Sequence, residues 1–406
     1  MFAFFRENFR WIAGGFLLTY FSSFGQTFFI SASVAHWRAT LDLTQGEMGR
    51  LYMLATLGSA LCLPWIGRLV DLVSPRRAIL LVMPVLAAAT LLAAHAPSLA
   101  VLALAIFLLR LFGQGMMTHI AMTTTGRWFE AQRGRAVSLV VLGHQGGEAT
   151  LPLAFASVTL AFGHQVGWSA AGGLLLLLGL PAAWWCYRIP REPRHAVLGT
   201  VSVVRHWTRR EVLADPLFWV LLTGVLGPSF IGTTIFYHQD YLTALHDWPP
   251  LLFTQALAVA AITTVVFALV CGALVDRFRA TALLPFFLLP LAGACFLLGI
   301  DGAPVRLFAA MFLLGVAYGV SSTLFGALWP ELYGTRHLGA VRSITVSAMV
   351  LATAAGPGVT ATLIDRGISV PVQLSWLGGY CLLAGIAMLV ASVRLRRRRA
   401  VQAGGD

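Results

Sequence analysis

Stretches of about 20 apolar residues recur from one end of the chain to the other, and short segments between them carry most of the charge. Each stretch is long enough to cross a hydrocarbon core as a helix. Inside lipid a segment must satisfy its own backbone polar groups, which a helix does. The alternating pattern of a membrane barrel is absent. The pattern predicts twelve spans, near 11–35, 47–70, 78–96, 99–125, 136–162 and 168–187, then 216–245, 251–275, 281–300, 305–329, 338–364 and 370–393. The fold class is therefore an all-α integral membrane protein of twelve transmembrane helices. The first span is too long for a signal-peptide core and no small-residue cleavage site follows it, so no cleaved leader is expected.

Two halves are visible in this pattern. Gly67-Arg68-Leu69-Val70-Asp71 returns as Gly272-Ala273-Leu274-Val275-Asp276, each copy after a long apolar segment. Such repeats mark transporters built from two similar bundles. The expected organisation is a six-helix bundle over 1–188, a linker over 189–215, a second six-helix bundle over 216–393 and a basic tail over 394–406. Ile189-Pro190-Arg191-Glu192-Pro193 breaks helical structure, and 206–213 fits a short basic amphipathic helix on a membrane surface.

Composition sharpens the class. The chain is 58% hydrophobic and 11% charged, with a mean hydropathy of +0.80, where a soluble protein carries about 25% charged residues. The formal charge of +12 raises the question of nucleic acid. Position excludes it, because the basic residues, all arginines, gather in alternate loops. Arg6 and Arg10, Arg68, Arg76 and Arg77, Arg127, Arg133 and Arg135, the linker arginines, Arg277 and Arg279, Arg336 and Arg342, and Arg394 to Arg399 fall on one side. The other side holds only Arg38, Arg50, Arg306 and Arg366. The positive-inside rule then puts both termini in the cytoplasm of a multi-pass cytoplasmic (inner) membrane protein, with the arginines against anionic lipid headgroups. Cys62, Cys186, Cys271, Cys295 and Cys381 lie in or beside apolar spans without zinc-ligand spacing and read as small buried hydrophobes.

Gly67, Leu69 and Asp71, followed by Arg76 and Arg77, resemble the loop signature of the major facilitator superfamily. Arg110-Leu111-Phe112-Gly113-Gln114-Gly115 resembles its fourth-span motif. Arg127-Trp128-Phe129 with Arg133-Gly134-Arg135-Ala136 is similar to the following loop in the monocarboxylate-porter-like and oxalate/formate-antiporter-like branches. The chain departs from the signature at Ser74 and Pro75, where a glycine and a basic residue are usual. It also lacks the basic residues that oxalate/formate antiporters carry in spans eight and eleven, which argues against a dicarboxylate. The resemblance implies two rigid halves rocking around a midplane site.

Candidate chemistry lies where charge enters the membrane, because burial there is costly. Arg110 and Glu148 stand clearly mid-span; counting helical rise from the shared loop puts them about 27 Å and about 20 Å deep. Two arrangements fit: an Arg110–Glu148 pair that ties spans four and five, or side chains that line a cavity. Gln114 is nearer the depth of Glu148, and His119 that of His144. His144 and Glu148 share a helix face, and Gly143, Gly146 and Gly147 permit close approach of another helix. No metal is expected, for His119, His144 and Glu148 have no further ligand of clear spacing. Gly227-Pro228 and Gly232 are expected to interrupt span seven below Tyr237 and His238. Gln26 with Ser22 and Ser23, and Tyr318 with Ser321 and Ser322, are polar groups inside spans. Gly356-Pro357-Gly358 is expected to bend span eleven. Gly67, Asp71 and Arg127, with Gly272 and Asp276, form the expected gate: an aspartate at a helix end, held by an arginine or a helix N-terminus, latches one face shut.

These features predict a secondary transporter for a small organic solute, of monocarboxylate type, with proton coupling. Arg110 holds the anion and Glu148 the proton. Proton-driven efflux of drugs or metabolites uses the same Glu148 without a fixed cation for cargo, and a non-transporting receptor or scaffold binds without flux. An enzyme is not expected: no metalloprotease helix motif, Gly-x-Ser-x-Gly or phosphate-binding glycine loop occurs. Expected partners are a small-molecule substrate, membrane lipids and protons, with the chain a monomer; no cofactor and no catalytic residue are expected.

Overall fold

The computed structural model describes residues 2–67, 69–129, 133–189, 191, 207–300, 303–334 and 338–403. Among them there are helices and no strands. Eight of the described helices are long and apolar enough to cross a membrane: Pro75–Ala94, Leu99–Trp128, His164–Cys186, Pro216–Tyr237, Leu252–Val275, Pro304–Tyr333, Ile344–Asp365 and Val370–Leu395. Phe2–Phe21, Gln45–Ile66, Arg133–Phe162 and Leu289–Leu298 take the places in chain order of predicted spans one, two, five and nine. Polarity or breaks set them apart from the eight. The chain divides into two compact units, Met1–Thr200 with Phe236–Ala258, and Val201–Ile235 with Val259–Asp406.

Local rules explain the helix starts. Thr44 and Glu47 form a reciprocal capping box at Gln45–Ile66. Ser74 caps Pro75–Ala94 through the Arg77 amide, with Pro75 in the first turn. The two residues that depart from the loop signature are therefore a helix-start signal. Thr208 and Glu211 cap Arg209–Ala214, the described part of the predicted linker helix.

Span one does not stay helical. After Phe21 it tightens into 3-10 turns at Ser22–Gly25 and Ser31–Ser33, with one α-helical turn, Thr27–Ile30, between them, before resuming as Val34–Leu41. Gln26 is extended, at φ −85° and ψ 155°, and breaks the ladder. Two spans press on this segment. Gly113 and Gly25 meet so closely that a Cβ on Gly25 would lie 2.1 Å from the Leu109 carbonyl oxygen. A Cβ on Gly143 would lie 2.1 Å from the Phe16 carbonyl oxygen, and one on Gly147 would lie 2.1 Å from Ser23 Oγ. Two of the three glycines thus admit span one, while Gly146 stands clear of it in ordinary contact.

Span four answers the break with a π-helical stretch, Leu109–Met117, which holds Arg110, Gly113, Gln114 and Gly115. Wide helical turns of this kind concentrate at functional sites. Nearby, Phe29, Phe155 and Trp168 form an aromatic core, and the Trp168 indole donates to Ser33 Oγ at 2.9 Å.

In the second unit, Phe218, Trp329 and Tyr333 pack together, and the Tyr333 hydroxyl donates to buried Asp215 at 3.3 Å. Here the structure corrects one expectation. Span seven runs as an unbroken helix through Gly227, Pro228 and Gly232 to Tyr237, and turns at His238. Pro228 forfeits only its own amide hydrogen bond, a loss a packed membrane helix tolerates. Gly232 makes room for a neighbour: a Cβ there would lie 1.6 Å from the Tyr318 hydroxyl oxygen, which donates to the Pro228 carbonyl at 3.4 Å. Gly356 likewise admits span seven, since its Cβ would meet the Phe230 carbonyl oxygen at 2.6 Å. Leu338–Asp365 is one helix with Pro357 inside it.

Candidate functional site

Arg110 is 2% exposed. Its Nη1 donates to the Gly25 carbonyl at 3.2 Å and to Thr27 Oγ1 at 3.3 Å. The break at Gln26 leaves carbonyls at the end of span one without helical partners, and the guanidinium takes one of them. Thr27 Oγ1 shares a hydrogen with the Tyr52 hydroxyl at 2.7 Å. The Tyr52 ring lies under the guanidinium, 5.6 Å from its carbon, and 4.7 Å from the ring of Tyr237. Among the described residues Arg110 Nε has no hydrogen-bond partner, and neither has the Tyr237 hydroxyl, whose residue is 1% exposed. A full positive charge thus rests among neutral groups.

Glu148 is 6% exposed and makes neither hydrogen bond nor ion pair among the described residues. The Arg110–Glu148 pair allowed by the sequence does not form. Physically, the guanidinium turns to the broken end of span one, whose carbonyls are closer at hand. Next in sequence to Glu148, Gly147 lies against the Ser23 hydroxyl, which has no hydrogen-bond partner among the described residues. His144, one turn earlier, places its ring 5.9 Å from that of Phe28.

The other sequence candidates separate. The His119 ring sits 3.4 Å from where a Cβ on Gly67 would be, at the end of span two. Depth counted along two helices could not tell which neighbour its ring faces. Gln114 lies in the π-helical stretch, and its backbone nitrogen would be 2.6 Å from a Gly25 Cβ. Gln26 serves through its backbone as the break itself. Tyr318 belongs to the second unit, against Gly232. No group of three or more His, Cys, Asp or Glu that could hold a metal occurs among the described residues.

At the loop motif, Arg127 Nη1 donates to the Val70 carbonyl at 3.3 Å, next to Asp71. The side chains of Asp71 and Asp276 lie outside the described residues. In the second copy the helix continues past Gly272 to Phe278. Glu331 accepts from the Ala280 amide at 3.0 Å and from the Thr281 hydroxyl at 3.3 Å. The sequence reading missed Glu331. Its signal was its place after Trp329-Pro330, matching the loop after span four.

Tyr52 and Thr27 were also missed. Neither carries charge, and only the folded contact with Arg110 distinguishes them from ordinary span residues.

Known proteins bear on this arrangement. The family model described as Major Facilitator Superfamily matches residues 16–357 and 240–405. The membrane sensor protein UhpC of Escherichia coli (strain K12) is 24% identical over 177 residues, 39% of this chain and 37% of the relative. UhpC of Salmonella typhimurium is 26% identical over 176 residues, 38% of this chain and 36% of the relative. The chain therefore matches little more than a third of these relatives' length. Among solved structures, a bacterial homolog of the human lysosomal transporter Spinster has a TM-score of 0.70 at 16% identity, covering 96% of this chain and 94% of its own. The nucleoside transporter NupG has a TM-score of 0.70 at 12% identity, covering 95% of this chain and 98% of its own. These likenesses show the fold. Together with the loop motif and a family model matching most of its length, they establish that the chain belongs to the Major Facilitator Superfamily of transporters.

Proposed function

We propose that this member moves a small organic anion of monocarboxylate type by alternating access, coupled to protons. Arg110 is the observation that carries the reading. It is a buried guanidinium with neutral partners, and its Nε has no partner among the described residues. A carboxylate supplies the missing counter-charge through two parallel hydrogen bonds, which a guanidinium is shaped to give. Tyr52 and Thr27 hold the guanidinium from one side.

Glu148, buried and unpaired among the described residues, carries the proton in this reading. A carboxylate takes and releases a proton as its surroundings change. Asp71, beside the Val70 carbonyl that Arg127 holds, latches the arginine-rich face. The arginine distribution supports a cytoplasmic position for that face and for both termini.

Uptake of labelled short-chain monocarboxylates into proteoliposomes, with and without a pH gradient, tests the proposal. Accumulation that follows an inward proton gradient is expected. Glu148→Gln should abolish that accumulation and leave exchange of one monocarboxylate for another. Absence of gradient-driven uptake, or its survival in Glu148→Gln, rejects proton coupling through Glu148.

A second reading has support in the matched UhpC segments, because those relatives are named membrane sensors. A receptor binds the same anion at Arg110 without moving it. Saturable binding to the purified protein without uptake in liposomes selects that reading.

A further inference from the structure

A cavity stands at the arginine-poor end of the first unit. It has a volume of about 360 Å³, within the usual range for small-molecule sites. Val34–Leu41, the resumed end of span one, supplies Ala35 and Arg38; Gln239–Leu245 supplies Asp240 and Tyr241. Tyr237 lines it too, and its buried hydroxyl has no partner among the described residues.

Two opposite charges face this cavity without touching. Arg38 donates from Nε to the Leu43 carbonyl at 3.2 Å, which leaves Nη1 and Nη2 unbonded among the described residues. Asp240 accepts the Ala35 amide on Oδ2 at 3.2 Å, which leaves Oδ1 unbonded among them. The two side chains lie within Coulomb range of one another but form no ion pair. Each is anchored by one backbone bond and held apart from the other, with hydrogen-bonding capacity to spare.

We propose that this cavity is a second binding site, for a small zwitterion whose carboxylate meets Arg38 and whose ammonium meets Asp240. A simple anion leaves Asp240 facing it with like charge, and a simple cation leaves Arg38 so. A zwitterion satisfies both, and the Tyr237 hydroxyl supplies a further hydrogen bond. The rings of Tyr52 and Tyr237, 4.7 Å apart and tilted by 51°, lie between this cavity and Arg110. The site therefore does not rest on the anion role of Arg110.

The test uses the full-length chain in lipid nanodiscs and three probes of similar size: β-alanine, propionate and propylamine. Radiolabelled β-alanine is expected to bind saturably, and about 10-fold or more tightly than either singly charged probe competes, since one charge-assisted bond separates them. Arg38→Gln should weaken β-alanine by about 10-fold or more. Asp240→Asn keeps the shape and the Ala35 bond, and should erase the advantage of β-alanine over propionate. Should Arg38→Gln not fold, the Asp240→Asn comparison decides alone. Arg110→Gln should leave β-alanine binding in place whatever it does to transport, which separates this site from the anion reading. No saturable β-alanine binding, equal affinity for the three probes, or binding that is lost in Arg110→Gln yet kept in Asp240→Asn overturns the proposal.

Discussion

Arg110 donates to the carbonyl of Gly25 at 3.2 Å, while Glu148, the one other charge placed clearly mid-span by the sequence, goes without an ionic partner among the described residues. The pairing is set by the break in span one. An interrupted helix presents carbonyls that carry partial negative charge at its C-terminal end, and a guanidinium can use them where an intact helix would offer none. A membrane protein can thereby keep a cation and an acid buried within one unit without cancelling one against the other.

Arg110 is expected to be more than a structural clamp. Arg110→Lys keeps the charge and loses the planar fork, and should reduce carboxylate transport by about 10-fold or more; Arg110→Gln should nearly abolish it. Because no ion pair links the two residues, the double change Arg110→Gln with Glu148→Gln should not restore binding. Restoration of cargo binding in the double variant, measured on purified protein, would return Arg110 to a purely structural role.

The glycines of span five give a graded test of packing. Gly147→Ala puts a methyl 2.1 Å from Ser23 Oγ, whereas Gly146→Ala meets nothing closer than 3.6 Å. Overpacking of this kind costs about 1–3 kcal/mol. Thermal unfolding in detergent should show a clear loss for Gly147→Ala and a small one for Gly146→Ala. Equal melting temperatures would contradict the close approach of spans one and five.

The latch at the loop motif makes a prediction about populations. Asp71→Asn should move the protein between its inward- and outward-open forms, with cargo affinity within each form little changed, because the site proposed at Arg110 is elsewhere. Arg127→Gln, which frees the Val70 carbonyl, should shift it the same way. Spin-label distances across the arginine-rich face report the shift, and identical distance distributions in wild type and both variants exclude the latch.

Orientation follows from arginine placement and is checked by labelling. In a background lacking the five native cysteines, a cysteine at Ser98 or His164 should react with an impermeant thiol reagent added to intact cells. One at Arg194 should not. The opposite pattern reverses the topology.

The sequence by itself determined the class, the helical spans, the internal repeat and the positions of the two mid-span charges. These depend on the periodic cost of exposing polar groups to lipid, which every residue along a span registers locally. It also marked Gly143, Gly146 and Gly147 as points of close approach, of which the fold uses Gly143 and Gly147 against span one and leaves Gly146 in ordinary contact. Tertiary structure alone decided which partners those charges take. Span one reads as a single apolar run, and its break at Gln26 depends on Gly25 lying against Gly113 and on the π-helical turn of Leu109–Met117. Only that contact brings Thr27 and Tyr52 to Arg110, and only the fold sets Arg38 and Asp240 at one cavity from positions some 200 residues apart. Hydrogen bonds and ring contacts between distant segments leave no periodic trace in a chain, because their energy depends on meeting geometry rather than on composition or spacing.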